Sequence, residues 1–260
     1  MSRATKLSEG GPFRADQIAP GSHYELSEGH AILCAPTGGR GSRSNLVGAS
    51  VLETDPAVES AGVDTGFSPS PKTLRAPDVA VGNVPDAPGW THVAPPLAVE
   101  YADTGQDEEE LQARIRDLLA HGTRYIWVVR LVGVRRVEVY EAGATVRTAL
   151  PGTDLVAPGI LQNPVRVEAL YDREAAHDAT LTNLLQRRGF ASLEAVRAEG
   201  EIEGEIRRLR RSILDVLAVR GVAVPEHVRA RVMGTDDIAE LERWFTRAVT
   251  AASADDALSG

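Results

Sequence analysis

Two carboxylates in this 260-residue sequence stand where a carboxylate is costly. Asp78 interrupts the apolar run Ala76-Pro77-Asp78-Val79-Ala80-Val81, and Glu100 ends the run Leu97-Ala98-Val99-Glu100. Burying an ionised carboxylate costs on the order of several kcal/mol unless something compensates it, and a divalent cation is a common compensator. If the two runs are neighbouring strands, both side chains meet at the strand ends and can share an ion. Hard oxygen ligands of this kind select Mg2+ or Mn2+. Such an ion turns a bound water into a nucleophile and neutralises charge on a phosphodiester. The alternative is that either acid sits at a solvent-exposed strand end. Other chemistries find less support. The histidines at 23, 30, 92, 121, 177 and 227 have no partner three or four residues on, and Cys34 is the only cysteine, so neither a thiolate zinc site nor an internal disulfide can form. Gly38-Gly39-Arg40-Gly41-Ser42 lacks the phosphate-loop lysine and has Ser44 where a dinucleotide loop needs glycine, so it reads as a glycine turn between strand and helix. There is no G-x-S-x-G elbow. Cys34 follows an apolar run and reads as a buried, inert thiol.

The elements that must position Asp78 and Glu100 follow from the hydrophobic pattern. Tyr24 to Ala35 predicts a hairpin turning at Ser27-Glu28-Gly29. A helix is expected from about Ser42 to Glu53, with Leu46, Val47, Ser50 and Val51 on one face, then strands at 63–67 and 76–81. Residues 82–96 contain four prolines and two glycines and must be a loop. After the strand at 97–101, the acids Asp107 to Glu110 open a helix carrying Leu111, Ile115, Leu118 and Leu119, stopped by Gly122. Tyr125 to Leu131 and Arg136 to Tyr140 form a strand–turn–strand unit, with short strands near 145–149 and 165–169. From about Tyr171 the composition becomes helical, at roughly 172–188, 191–220, 225–233 and 236–252. Ile202, Ile206, Leu209, Ile213 and Val216 follow a 4-3-4-3 spacing, which suits a coiled-coil seam or a helix packed on its own domain. Thr235 is a candidate N-cap for the last helix, whose expected apolar face is Ile238, Leu241, Trp244, Phe245 and Val249; beyond Ala251 a frayed tail is expected.

Pro77-Asp78, Leu97-Ala98-Val99-Glu100, a helix, then Tyr125-Ile126-Trp127-Val128-Val129 and Arg136-Val137-Glu138-Val139-Tyr140 resemble the PD-(D/E)xK nuclease pattern. More narrowly they are similar to the Uma-type restriction endonucleases, a widespread bacterial family, whose first hairpin Tyr24-Glu25-Leu26-Ser27-Glu28-Gly29 resembles and whose closing region Leu150-Pro151-Gly152 resembles. The resemblance spans about residues 20–170. It implies an α/β (α+β) restriction-endonuclease-like core, a mixed central sheet flanked by helices, to which this chain adds an all-α C-terminal extension. It also implies a Mg2+ or Mn2+ site of Asp78 and Glu100, with Glu25 as a third acid acting through a water, and DNA as substrate. The superfamily's lysine would fall two residues after Glu100, where this chain has Ala102. In Uma-type proteins a basic residue on the following helix can replace it, and here that position is Arg114. Arginine stays protonated, so it cannot take a proton, but it stabilises a charged phosphoryl group. The only lysines are Lys6 and Lys72.

Composition sets the remaining bounds. A net charge of −9 excludes bulk electrostatic affinity for nucleic acid or anionic membrane, while a local contact through Arg40, Arg43 and Arg75 stays open. No stretch is long and apolar enough for a transmembrane helix, and the N-terminus lacks a secretory core, so a cytoplasmic location is expected. The expected organisation is a loose arm over 1–20, the nuclease core over 21–170 and a helical extension over 171–260. Two functions follow: a Mg2+-dependent endonuclease acting on DNA, or a nuclease-fold protein that has lost catalysis and serves as an oligomeric binding or assembly module. In either, a homodimer through the helical extension is expected.

Overall fold

The computed structural model describes residues 11–259 and divides into two compact units after Gly189. The first is built on two sheets. Strands β1 (Tyr24–Ser27) and β2 (His30–Leu33) form the expected hairpin, with Glu28 and Gly29 both at positive φ, 50° and 84°, as its two-residue turn demands. Helix α1 (Gly39–Thr54) leads to β3 (Ala61–Val63), β4 (Phe67–Ser70), β5 (Thr73–Arg75) and β6 (Val79–Val81). The run at 63–67, expected to be one strand, is instead the turn from β3 into β4, where Asp64 takes a φ of 49°. The proline-rich loop then reaches β7 (Leu97–Ala102), α2 (Glu108–Ala120), β8 (Tyr125–Arg130), β9 (Arg136–Glu141) and β10 (Arg147–Ala149). A small pair, β11 (Asp154–Leu155) and β12 (Val165–Arg166), precedes α3 (Arg173–Arg187).

One sheet runs β2-β1-β5-β4, and the central one runs β10-β9-β8-β7-β6-β3. In the central sheet β7 is parallel to β8 and antiparallel to β6, so the sheet is mixed and α2 is the crossover. Alternation along β7 divides its side chains between two cores. Leu97, Val99 and Tyr101 face the cluster that includes Val51 and Leu52 of α1, while Ala98 and Ala102 face Leu111, Ile115 and Leu118 of α2. Glu100 shares the α2 side by the same period. Asp107 caps α2, its Oδ1 accepting from Glu110 N at 3.1 Å, so the acidic run serves the helix start.

Helix α1 is rotated from the expected face: Ser44, Gly48, Val51 and Leu52 are buried and Leu46 is 68% exposed. Small residues win because the helix lies close to the sheet. A Cβ on Gly48 would stand 1.9 Å from the Tyr101 hydroxyl, which donates to Leu170 O at 2.9 Å. Of the expected arm, residues 1–10 lie outside the described residues. The following stretch is anchored, because Ala15 and Ile18 are buried with Leu26 and Leu74, and Trp90 Nε1 donates to Ala15 O at 3.1 Å.

Helix α3 belongs to the first unit rather than to the extension. Its Arg187 donates to the carbonyls of Glu53, Thr54, Asp55 and Val58, and Asn183 Nδ2 donates to Val51 O at 2.9 Å. These bonds satisfy the unpaired carbonyls at the α1 C-terminus, a requirement that composition does not display.

The second unit holds α4 (Leu193–Val219), α5 (Glu226–Gly234), α6 (Ile238–Ala248) and α7 (Ala254–Leu258). Leu209, Ile213 and Leu217 of α4 pack with Val228, Val232, Leu241 and Trp244, so the C-terminal half of the seam is filled from within the chain; Ile202 is 53% exposed. Asp237, not Thr235, caps α6, and Val249 lies outside its buried face. The expected frayed tail forms α7, with Ala257 and Leu258 buried. No helix among the described residues is long and apolar enough to cross a membrane.

Gly48→Ala should destabilise the chain by about 1–3 kcal/mol from overpacking, although the same change in an open helix interior stabilises by up to about 1 kcal/mol. Urea denaturation checks the sign, and Tyr101→Phe should recover part of the loss in the double variant.

Candidate active site

Strand register brings Asp78 to Glu100. Val79 is opposite Val99 in the β6–β7 pair, so the next rung sets Asp78 across from Glu100. Tyr101 N donates to Asp78 Oδ2 at 2.6 Å, which fixes the carboxylate against β7. The condition set by the sequence, that the two runs be neighbours, is met, and neither acid is a free strand end. Glu100 is 3% exposed and Asp78 keeps partial access to solvent.

Arg114 reaches this pair from α2. Its Nη1 donates to Glu100 Oε2 at 2.8 Å, and its Nη2 lies 3.1 Å from Glu25 Oε1 on β1. Glu25 Oε2 in turn lies 3.2 Å from Nη1 of Arg75, a fully buried arginine at the end of β5. The same Nη1 donates to Glu110 Oε1 at 2.6 Å, and Arg75 Nε donates to Asp117 Oδ2 at 2.8 Å, which also accepts from Ser27 Oγ at 3.1 Å. Acid and guanidinium therefore alternate from Asp117 through Arg75, Glu25 and Arg114 to Glu100. Isoleucine and leucine at 115, 111 and 118 bury the other side of α2, so the helix periodicity that builds the core also aims Glu110, Arg114 and Asp117 at the network.

The charges do not balance. Glu25, Asp78, Glu100, Glu110 and Asp117 face only Arg75 and Arg114. Burial, with repulsion from Asp78 and Glu25, pushes the Glu100 carboxyl up to about 8 against the pull of Arg114. Burial likewise pushes Asp78 up to about 6, although Tyr101 N and Arg114 favour its ionised form. The Glu100 carboxylate, supported by Glu25, holds Arg114 firmly protonated. Glu100 Oε1 is buried with no hydrogen-bond partner. An orphaned carboxylate oxygen beside a second carboxylate, both short of positive charge, fits a divalent cation. Among the described residues, no three His, Cys, Asp or Glu side chains already converge as a cation cage.

The Uma2 family model, described as "Putative restriction endonuclease", matches residues 13–164. The chain belongs to the Uma2 family. No curated protein matches it. Among solved structures, it is similar to a crystal structure described as a "putative nuclease belonging to DUF820" from Anabaena variabilis, at 18% identity and a TM-score of 0.54. The match covers 64% of this chain and 99% of that one. The first unit thus has the mixed-sheet fold of a nuclease-like relative, and the Uma2 match ends before α3 and the second unit.

Against the Uma2 expectation, the structure gathers Glu25, Glu100 and Arg114 and sets Asp78 beside them. Glu25 differs in its partners: both of its oxygens face guanidinium groups, so it grips Arg114 and Arg75. Arg75, expected to line a DNA cleft, is fully buried in the network. Arg40 and Arg43 lie at the start of α1, with Arg40 paired to Asp103. Lys72 sits in the exposed β4–β5 turn, and Gln106 Nε2 donates to Asp107 O. Cys34 lies just beyond β2; burial and the neighbouring Glu25 carboxylate push its thiol up to about 12, which keeps it protonated. Sequence reasoning missed Glu110 and Asp117, whose signal was their i, i+4 and i, i+3 spacing around Arg114 on one helix, and Asp64, which follows β3 as Asp78 precedes β6.

Because folding raises both carboxyls, each contributes stability below its ordinary value that is lost as pH rises through about 6 for Asp78 and about 8 for Glu100. In a chelating buffer the thermal midpoint should therefore fall between pH 5 and pH 9. Glu100→Gln should remove most of that fall and stand above wild type at pH 9.

Proposed function

We propose that this chain is a divalent-cation-dependent endonuclease that hydrolyses DNA phosphodiester bonds. Family membership supports nuclease chemistry, and the observation that carries the finer reading is Asp78 set beside the buried Glu100, whose Oε1 has no partner. Asp78 and Glu100 would hold Mg2+ or Mn2+. When bound, the ion supplies an activated water and neutralises charge on the scissile phosphate.

The protein's own residues supply the rest. Arg114 orients Glu100 through the 2.8 Å bond and brings a fixed positive charge to the pair, where negative charge gathers on a phosphoryl group. It cannot accept the water's proton at neutral pH, and Ala102 at the usual lysine position cannot either. Glu25 acts through Arg114 as a positioning residue instead of through a water. With a net charge of −9, DNA would be held locally, and the exposed Arg40 and Arg43 suit its backbone. A second reading, a chain that keeps the frame without catalysis, is favoured by the same Arg114, because it pairs with one oxygen of Glu100 without an ion. In both, we propose a homodimer through α4, whose Ile202 continues the seam beyond its covered half.

Plasmid and single-stranded DNA should be cut by wild type with Mg2+ or Mn2+, and Asp78→Ala should fall to the no-enzyme background. Equal cleavage by both proteins would refute the site, and none by either across both metals would favour the second reading. Light scattering should give a dimer for the full chain and a monomer for Ile202→Asp; a wild-type monomer removes the homodimer.

A further inference from the structure

The strand registers line up a third acid with Asp78 and Glu100. In the β3–β6 pair Val63 is opposite Val79, so the next rung sets Asp64 across from Asp78, and Asp64 N donates to Asp78 O at 3.4 Å. Asp64 and Asp78 stand one residue beyond β3 and β6, so extending the two registers by one step brings them level with Glu100 of β7. Cross-strand partners share a face, and Val79 and Val99 of the preceding rung point into the core on the α1 side. Asp78 and Glu100 therefore belong to the side where α2 brings Arg114, and Asp64 lies within electrostatic reach of both Arg114 and Asp78.

An acidic row alone says nothing about a ligand. Here its inner member, Glu100, is 3% exposed and leaves Oε1 without a partner. Its outer member, Asp64, is exposed, so the row leads from solvent to an unsatisfied buried oxygen. Glu25, the other acid at hand, has both oxygens committed to Arg114 and Arg75. The left-handed φ of 49° at Asp64 is one that aspartate and asparagine tolerate.

We propose that Asp64 is the third carboxylate of the divalent-cation site, supplying an oxygen from the solvent side to an ion held by Asp78 and Glu100. This rests on the cation-dependent reading above. The three side chains do not yet close on one point, so the exposed Asp64 is the member that moves to the ion.

Calorimetric titration of the full chain with Mn2+ alone tests it, using wild type, Asp64→Asn, Asp78→Asn and Glu59→Gln. Asparagine keeps the backbone preference of position 64, and Glu59 is an exposed acid two residues before β3. Asp64→Asn should weaken binding about tenfold or more while its thermal midpoint in chelator stays at or above that of wild type. Glu59→Gln should bind as wild type. Wild-type affinity in Asp64→Asn alongside loss in Asp78→Asn would overturn the assignment and leave the cation site standing. An equal loss in Glu59→Gln would overturn it in favour of bulk charge. No Mn2+ heat with wild type would remove both the site and its third ligand.

Discussion

The Arg114 guanidinium sits between Glu100 of the central sheet and Glu25 of the smaller one. A buried charge left unpaired is far costlier than one held in a hydrogen-bonded network, so each of these groups confines the others. The distance from α2 to β7, the tilt of the β1–β2 hairpin and the approach of β5 all have to serve this alternation. Arg75 extends it to Asp117 and Glu110, which ties the same helix to the hairpin a second time. Packing on the opposite face of the sheet, against α1, meets no such electrostatic demand and uses small residues and the Tyr101 hydroxyl instead.

The network also accounts for arginine at position 114 of α2. A guanidinium presents a planar fork that bonds two carboxylates at once and stays charged under any accessible condition. An ammonium could serve one of them well. Arginine here makes a rigid, permanently charged centre rather than a group able to shed a proton. Asp78 and Glu100, both short of compensation, are left as the groups whose ionisation responds to what occupies the site.

Much of the frame was legible from pattern. The hairpin at Glu28-Gly29, the β7–α2–β8 crossover and the β8–β9 pair follow from turn residues, a capped acidic helix start and runs of β-branched side chains. Asp78 and Glu100 stand out as carboxylates set in apolar runs, and the resemblance adds Arg114 and Glu25. What escaped were properties of pairs rather than of residues. Arg75 looks like any surface arginine until three acids surround it. The turn at Asp64 was hidden inside what reads as one strand, and with it the rung opposite Asp78. The end of the first unit is set by hydrogen bonds from Arg187 to the α1 carbonyls, whereas composition changes earlier, at Tyr171. The C-terminal seam reads equally as an oligomer interface or as packing within its own domain, because periodicity cannot say whose apolar residues will fill it; α5, α6 and α7 fill its second half.

The rung shared by positions 64, 78 and 100 has a consequence for how such a chain can change length over evolution. Strand side chains alternate with period two, so one residue inserted within the strands would turn the acids toward the opposite face. The loop at 82–96 joins β6 to β7 beyond the ladder and can lengthen or shorten without disturbing the rung. The segment from Asp64 through β4 and β5 to Arg75 has little such freedom, since it carries an acid at one end and the buried arginine at the other. Insertions and deletions among homologous chains should therefore collect in the proline-rich loop and avoid the shorter segments.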